Sequence, residues 1–154
     1  ETADEHGVTI IPEEIPLKDL LSKVKELQID AVGGPTIGAD PIATAVSLMG
    51  HLEGNDIKAF IVREGSKKHG KRQAIEGPLQ RGSRVVIVDD VCTTGSALFR
   101  AIEAVEAFEC TVVKIIVILD RVSGGSNDLI DKGYEFDALL EATVDGGIRA
   151  RESG

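Results

Sequence analysis

The sequence predicts an α/β fold, with a mostly parallel central sheet flanked by helices. Three observations carry that expectation. Val and Ile together number 31 of the 154 residues, while aromatic residues make up 3%; β-branched side chains suit strands that are buried on both faces. These residues fall in short unbroken runs, Val85-Val86-Ile87-Val88 and Ile115-Ile116-Val117-Ile118-Leu119, rather than alternating with polar ones. Such runs take turns with segments of helical spacing, the pattern of right-handed βαβ crossovers in one open sheet.

The elements follow in order. Glu1 to Pro16 is acidic, is broken by Pro12 and Pro16, and shows no period. Leu17, Leu20, Leu21, Val24 and Leu27 recur at helical spacing, so Leu17–Leu27 reads as an amphipathic helix. A short strand, Asp30–Val32, is expected to end at Gly33-Gly34-Pro35. Pro41–Met49 reads as a helix, with Pro41 tolerated in its first turn. Ile57–Val62 is a strand. Arg63–Gln73 carries five basic residues plus His69 and no apolar period, so a mobile loop is expected. A turn over Gly77–Gly82 leads into Arg84–Val88, the clearest buried strand. Leu98, Ile102 and Val105 then share one face of a helix. Val112–Leu119 is a strand, Asn127–Lys132 a short helix ended by Gly133, and Phe136–Leu140 an edge strand. From Asp145 the chain is polar and Gly-rich, so 145–154 is expected to be a flexible tail. No repeat or linker divides the chain, and residues 1–154 read as a single domain.

Charge and composition narrow the function. Seventeen basic residues against 26 acidic ones give a formal charge of −9, which argues against a nucleic-acid partner or an anionic membrane surface. The longest apolar run, Ile115 to Leu119, is far too short for a membrane span. No signal-peptide layout opens the chain. Two cysteines, Cys92 and Cys110, without CxxC or His-rich spacing, suggest neither a disulfide scaffold nor zinc, so a reduced cytoplasmic setting is expected and no residue is assigned as a metal ligand.

The chemistry concentrates in Val85-Val86-Ile87-Val88-Asp89-Asp90-Val91-Cys92-Thr93-Thr94-Gly95. A buried strand delivers two adjacent carboxylates to its carboxyl end, where open α/β sheets bind their ligands. Thr93, Thr94 and Gly95 then turn into a helix, whose first N–H groups and neighbouring hydroxyls make a phosphate cradle. Carboxylates would repel that phosphate but accept hydrogen bonds from vicinal ribose hydroxyls. A ribose 5-phosphate presents both groups. The Gly33 and Arg63 loops leave strands at the same end, and the second is a basic segment in an acidic protein, suited to a diphosphate.

The Asp89 string resembles the phosphoribosyl-diphosphate motif of type I phosphoribosyltransferases. Flanking segments resemble the orotate phosphoribosyltransferases: Phe60-Ile61-Val62-Arg63 with Lys67-Lys68-His69-Gly70 and Ile75-Glu76-Gly77, like the family's catalytic loop; Asp30 through Ile42, including Gly33-Gly34-Pro35, like a diphosphate loop; and Leu119-Asp120-Arg121 with Gly124-Gly125, like the strand end that offers an arginine to the orotate carboxylate. The resemblance implies a type I phosphoribosyltransferase-like fold and transfer of a 5-phosphoribosyl group from phosphoribosyl diphosphate to orotate, giving orotidine 5′-monophosphate and diphosphate. It implies Asp89 and Asp90 on the ribose, Thr93, Thr94, Gly95 and Ser96 on the 5-phosphate, and Gly34 and Pro35 in the diphosphate loop. Arg63, Lys67 and His69 would neutralise the leaving group, and Arg121 would meet the base. It further implies Mg²⁺ on the diphosphate and ribose oxygens, and a homodimer. Three departures stand beside it: Glu64 where the family carries Lys, Gly95-Ser96-Ala97 where it continues Gly-Gly-Ser, and no hood-like pattern in Glu1–Pro16. A phosphoribosyltransferase for a purine or other base, and a non-catalytic sensor of phosphoribosyl diphosphate, are the alternatives.

Overall fold

The β-branched runs form the middle of a seven-stranded sheet in the computed structural model, which describes residues 17–65 and 74–151. The expectation of an absent or reduced hood within 1–16, and most of the loop expected over 63–73, lie outside the described residues. Chain order is α1 (Leu17–Lys25), β1 (Ala31–Pro35), α2 (Ala39–Leu52), β2 (Lys58–Val62), β3 (Ile75–Glu76), β4 (Arg84–Cys92), α3 (Ser96–Ala107), β5 (Thr111–Asp120), α4 (Gly125–Asp131), β6 (Phe136–Ala142) and β7 (Ile148–Ala150). Across the sheet the order is β3-β2-β1-β4-β5-β6-β7. The five inner strands are parallel, and β3 and β7 are antiparallel edges.

Period two sorts β4 between two cores. Val85 and Ile87 face a cluster with Phe60, Leu98, Ile102, Ile115 and Leu129, under α3 and α4. Val86 and Val88 face the opposite cluster, with Leu20, Val24, Ile42, Val46 and Ile116, under α1 and α2. A strand covered on both sides has no polar positions to spare, which is why it reads as an unbroken run. On the α1 side, the Asp137 carboxylate on β6 meets both Lys23 and Lys114.

Four differences from the sequence reading reshape the sheet. Strand β1 runs on through Gly33-Gly34-Pro35, paired with Phe60, Ile61 and Val62. Glycine is needed there for closeness: a Cβ on Gly33 would lie 2.4 Å from the Phe60 carbonyl oxygen, and one on Gly34 would lie 2.0 Å from that of Val88. Pro35 is tolerated because β1–β4 pairing has ended at Gly33–Ile87, and the Thr36 N–H resumes on the β2 side by donating to the Val62 carbonyl. Strand β4 extends past Val88 to Cys92 because β5 pairs with it that far. Residues 75–76, given no element in the sequence reading, form β3 on β2. Finally, the polar stretch after Asp145 is not all flexible tail. Ile148–Ala150 pairs with β6, and Arg149 meets Glu141 across the strands at 2.6 Å, so β6 is not the edge.

From β1 the chain builds outward through β2 to β3, then returns to lay β4, β5, β6 and β7 on the other side. Strand order therefore reverses between β1 and β4, and a crevice opens beyond their carboxyl ends. Among the described residues no helix is long and apolar enough to cross a membrane.

Candidate active site

Both sides of that crevice can be built from the residues upward. Strand β4 carries Asp89 and Asp90 at its carboxyl end. Asp89 is 7% exposed and Asp90 is exposed. The Asp90 N–H donates to Asp89 Oδ1 at 2.9 Å, and the Val91 N–H to Asp90 Oδ1 at 2.8 Å, so each carboxylate is fixed by the next backbone amide. Burial, a side-chain hydrogen bond with Asp90, and the charges of Asp90 and Asp40 push the Asp89 carboxyl up from 3.8 to about 7, against the lowering effect of the Asp90 N–H.

After β4 comes the turn of Thr93, Thr94 and Gly95, and α3 begins at Ser96. Gly95 adopts φ 79°, a left-handed conformation that glycine enters without strain. The Thr94 hydroxyl lies 3.3 Å from that of Ser96 and accepts a long bond from the Ser96 N–H at 3.4 Å. Thr93, Thr94 and Ser96 are exposed. Hydroxyls and first-turn N–H groups thus open together at the start of a twelve-residue helix, as an anion cradle requires.

Across the crevice, β1 turns through residues 36–38 into α2. Gly34 and Pro35 are buried inside β1, so the part of the expected diphosphate loop that faces outward is the Thr36-Ile37-Gly38 turn, with Ile37 81% exposed; its Thr36–Ile37 peptide is cis. The Thr36 hydroxyl donates to Asp40 Oδ2 at 2.6 Å, while Asp40 Oδ1 is buried without a partner among the described residues. Gly38 lies against the carboxylates: a Cβ there would sit 2.4 Å from Asp90 Oδ1 and 2.6 Å from Asp89 Oδ1. Sequence reasoning did not single out Thr36, Gly38 or Asp40. The only signal was their place inside the Gly-rich string after β1.

A third wall comes from β5. The Arg121 N–H donates to the Cys92 carbonyl at 3.0 Å and the Gly125 N–H to that of Thr93 at 3.0 Å, which lays the 121–125 loop along the Thr93–Gly95 turn. Gly125 permits this closeness, since a Cβ would meet the Gly95 nitrogen at 2.5 Å. Arg121 is exposed. Cys92 is buried, and burial together with the Asp120 and Asp89 charges pushes its thiol up to about 11, which suits packing rather than nucleophilic attack.

The basic loop is described at its ends alone, and Lys67 and His69 lie outside the described residues. Its base is tied: the Arg63 N–H donates to the Ala74 carbonyl at 2.8 Å, and the Arg63 guanidinium meets Glu76 at 2.8 Å. Glu64, where the resemblance led us to expect Lys, faces Arg100 on α3 at 3.3 Å.

The site so built can be set beside known proteins. A sequence profile of the phosphoribosyl transferase domain matches residues 13–135. Orotate phosphoribosyltransferases from Aquifex aeolicus and Streptomyces coelicolor are each 38% identical, over 124 and 130 residues, covering 80% and 83% of this chain and 68% and 71% of theirs. The chain belongs to the orotate phosphoribosyltransferase family. A relative from Rhodopirellula baltica is 43% identical over 109 residues, and there the chain spans just over half of its partner, 56%. Among solved structures, Mycobacterium tuberculosis orotate phosphoribosyltransferase in complex with 5-phospho-alpha-D-ribosyl 1-diphosphate superposes with a TM-score of 0.70 at 31% identity, covering 81% of this chain and 70% of that one. An adenine phosphoribosyltransferase from Thermoanaerobacter pseudethanolicus, 20% identical with a TM-score of 0.60, shares the fold. The type I fold expected from the resemblance is the fold of this chain.

Proposed function

We propose that the chain transfers the 5-phosphoribosyl group of phosphoribosyl diphosphate to a ring nitrogen of orotate, giving orotidine 5′-monophosphate and diphosphate. One observation carries this most: a carboxylate pair and a hydroxyl-rich helix start, spaced along one turn, face a second turn across a topological switch point. Phosphoribosyl diphosphate has a 5-phosphate, vicinal hydroxyls and a diphosphate in that order. Thr93, Thr94, Gly95 and Ser96 take the 5-phosphate. Asp89 and Asp90 accept from the ribose hydroxyls, which are charge-assisted bonds. The 36–38 turn takes the diphosphate, and Arg121 takes the carboxylate of the base.

In the reaction the bond from C1 to the diphosphate oxygen breaks and one from C1 to the base nitrogen forms. The transition state carries positive charge on the ribose ring, as in glycoside cleavage. No enzyme nucleophile is required. Catalysis is positioning plus the field of the carboxylates beside the developing cation, with Arg63, Lys67 and His69 neutralising the leaving group. Among the described residues no three His, Cys, Asp or Glu side chains form a metal cage, whereas Asp89 and Asp90 offer hard oxygen donors. That set fits Mg²⁺, which Asp89 and Asp90 would hold beside the donor. Held there, the ion would supply positive charge against the leaving diphosphate.

The family also supports a homodimer, as do Leu48 and Leu52, exposed at 58% and 75% one turn apart on α2. A cytoplasmic setting suits a chain that carries two buried, unpaired cysteines. The test is nucleotide formation from phosphoribosyl diphosphate with orotate, adenine and hypoxanthine in parallel. Orotidine 5′-monophosphate alone is expected. Turnover of a purine would reassign the base, and donor binding without any turnover would favour a sensor.

A further inference from the structure

Arg121 heads a loop whose shape rests on one buried carboxylate. Asp120 closes β5 and is 3% exposed. Its Oδ1 accepts from the Val122 N–H at 2.9 Å, which holds Val122 at φ 55°, a left-handed conformation that β-branched residues rarely adopt. Arg121 lies between the two, so the turn that aims it is set by this bond. Asp120 Oδ2 meets a cation from far along the chain, Arg151, with Nη1 at 3.7 Å. Arg151 is itself held in place. It follows β7, its N–H donates to the Leu139 carbonyl at 3.0 Å, and its guanidinium lies over the Phe136 ring, 5.5 Å from the centroid. It also lies beyond residues 13–135, the part of the chain that the family profile matches.

We propose that Arg151 is a positioning residue for base recognition: its charge holds the buried Asp120 carboxylate, which in turn holds the Arg121–Val122 turn in the shape that presents Arg121 to the carboxylate of the base. The proposal rests on the reading that Arg121 meets orotate. An ionised carboxylate removed from water needs a cation. Without Arg151, Asp120 swings toward water, which weakens its grip on the Val122 N–H. A strained β-branched residue then relaxes out of the left-handed region, and Arg121 turns with it. The donor-binding turn at Thr93–Gly95 meets this loop at Gly125, three residues beyond Val122, and is continued into α3 by the Phe99 N–H on the Gly95 carbonyl, so the effect falls more on the base than on phosphoribosyl diphosphate.

The experiment compares the full chain with Arg151→Ala and Arg151→Lys, by steady-state kinetics and by hydrogen exchange at the Val122 amide. Arg151→Ala is expected to raise KM for orotate on the order of tenfold, to leave KM for phosphoribosyl diphosphate and kcat within about twofold, and to speed exchange at Val122 while the amides of Ile115, Ile116 and Val117 exchange as before. Arg151→Lys restores most of the orotate affinity. If Arg151→Ala does not fold, Arg151→Gln is read in the same way. Equal rises in both KM values, or unchanged exchange at Val122, would overturn the proposal. A parent chain that makes no nucleotide from orotate would overturn the assignment of the base instead, and exchange at Val122 would still decide whether Arg151 holds the turn.

Discussion

Asp89 and Asp90 are consecutive on β4, and of the two Asp89 is the buried one. Because the folded-state pKa of Asp89 is raised to about 7 from 3.8, folding favours its protonated form. Its contribution to stability is fully present below about pH 4 and is lost as pH rises through 7. The ligand-free protein should therefore lose melting temperature across that window, and Asp89→Asn should flatten the decline; an equal decline in the variant, by calorimetry at matched ionic strength, would show that the titrating group lies elsewhere. Glu64 is a second case. From sequence alone, Glu64→Lys is expected to raise kcat/KM by about tenfold, by restoring a cation near the leaving group. The structure turns Glu64 onto Arg100, both well exposed, so its charge is already partly neutralised. The gain should then be smaller, and the lost pair should cost less than about 1 kcal/mol of stability. Kinetics at two salt concentrations decide this, and a fall in kcat/KM at both would give Glu64 a positive role.

Strand β1 shows how an element can hide from pattern reading. Gly33-Gly34-Pro35 has turn composition, and nothing in local propensity marks it as sheet. What makes it a strand is the neighbour on each side: Phe60 and Val88 come so near that no side chain fits at Gly33 or Gly34. That information is non-local, as is the pairing that makes strands of residues 75–76 and 148–150. Strand β4 was legible because burial on both faces leaves its signature in one run of residues. The glycines give a paired prediction. Gly34→Ala should push β1 from β4 and cost about 1–3 kcal/mol, at about 2–4 °C in melting temperature for each kcal/mol in a chain of this size. Gly38→Ala places its Cβ against two side-chain carboxylates instead of a backbone carbonyl. It should cost less stability and weaken donor binding more. Thermal melts and donor titrations of the two variants check the crossover; the same ranking in both measurements would contradict it.

For the whole molecule, the alternation of runs and helical segments was enough to place the three candidate loops at one end of the sheet, because in a parallel α/β sheet every loop after a strand emerges on one side. It was also enough to put Asp89, Asp90, Thr93, Thr94 and Ser96 on one turn, since they are consecutive or nearly so. The opposing wall was harder to read: Gly38 and Asp40 matter through contact with β4 residues about fifty positions away, a distance that no local spacing encodes. The packing of α1 has its own pH signature. Burial alone would raise the Asp137 carboxyl, but the hydrogen bond and charge of Lys23, with Lys114, outweigh it and hold Asp137 below the usual carboxylate range. Its contribution to stability is present above the unfolded-state value and is lost as pH falls through the folded one. Asp137→Asn should therefore lower the melting temperature at pH 7 and lose that difference under strongly acid conditions; a difference independent of pH would point to lost packing instead. The central claim, that the carboxylate pair and the hydroxyl turn form the donor site, is tested most directly by calorimetric titration of phosphoribosyl diphosphate with Mg²⁺ into the parent chain and into Asp89→Asn/Asp90→Asn. The account predicts saturable binding to the parent and a loss of at least about a hundredfold in the double variant, from two charge-assisted bonds of about 1.5–3 kcal/mol each, with the folded melting transition retained; equal affinity in the two proteins would contradict it.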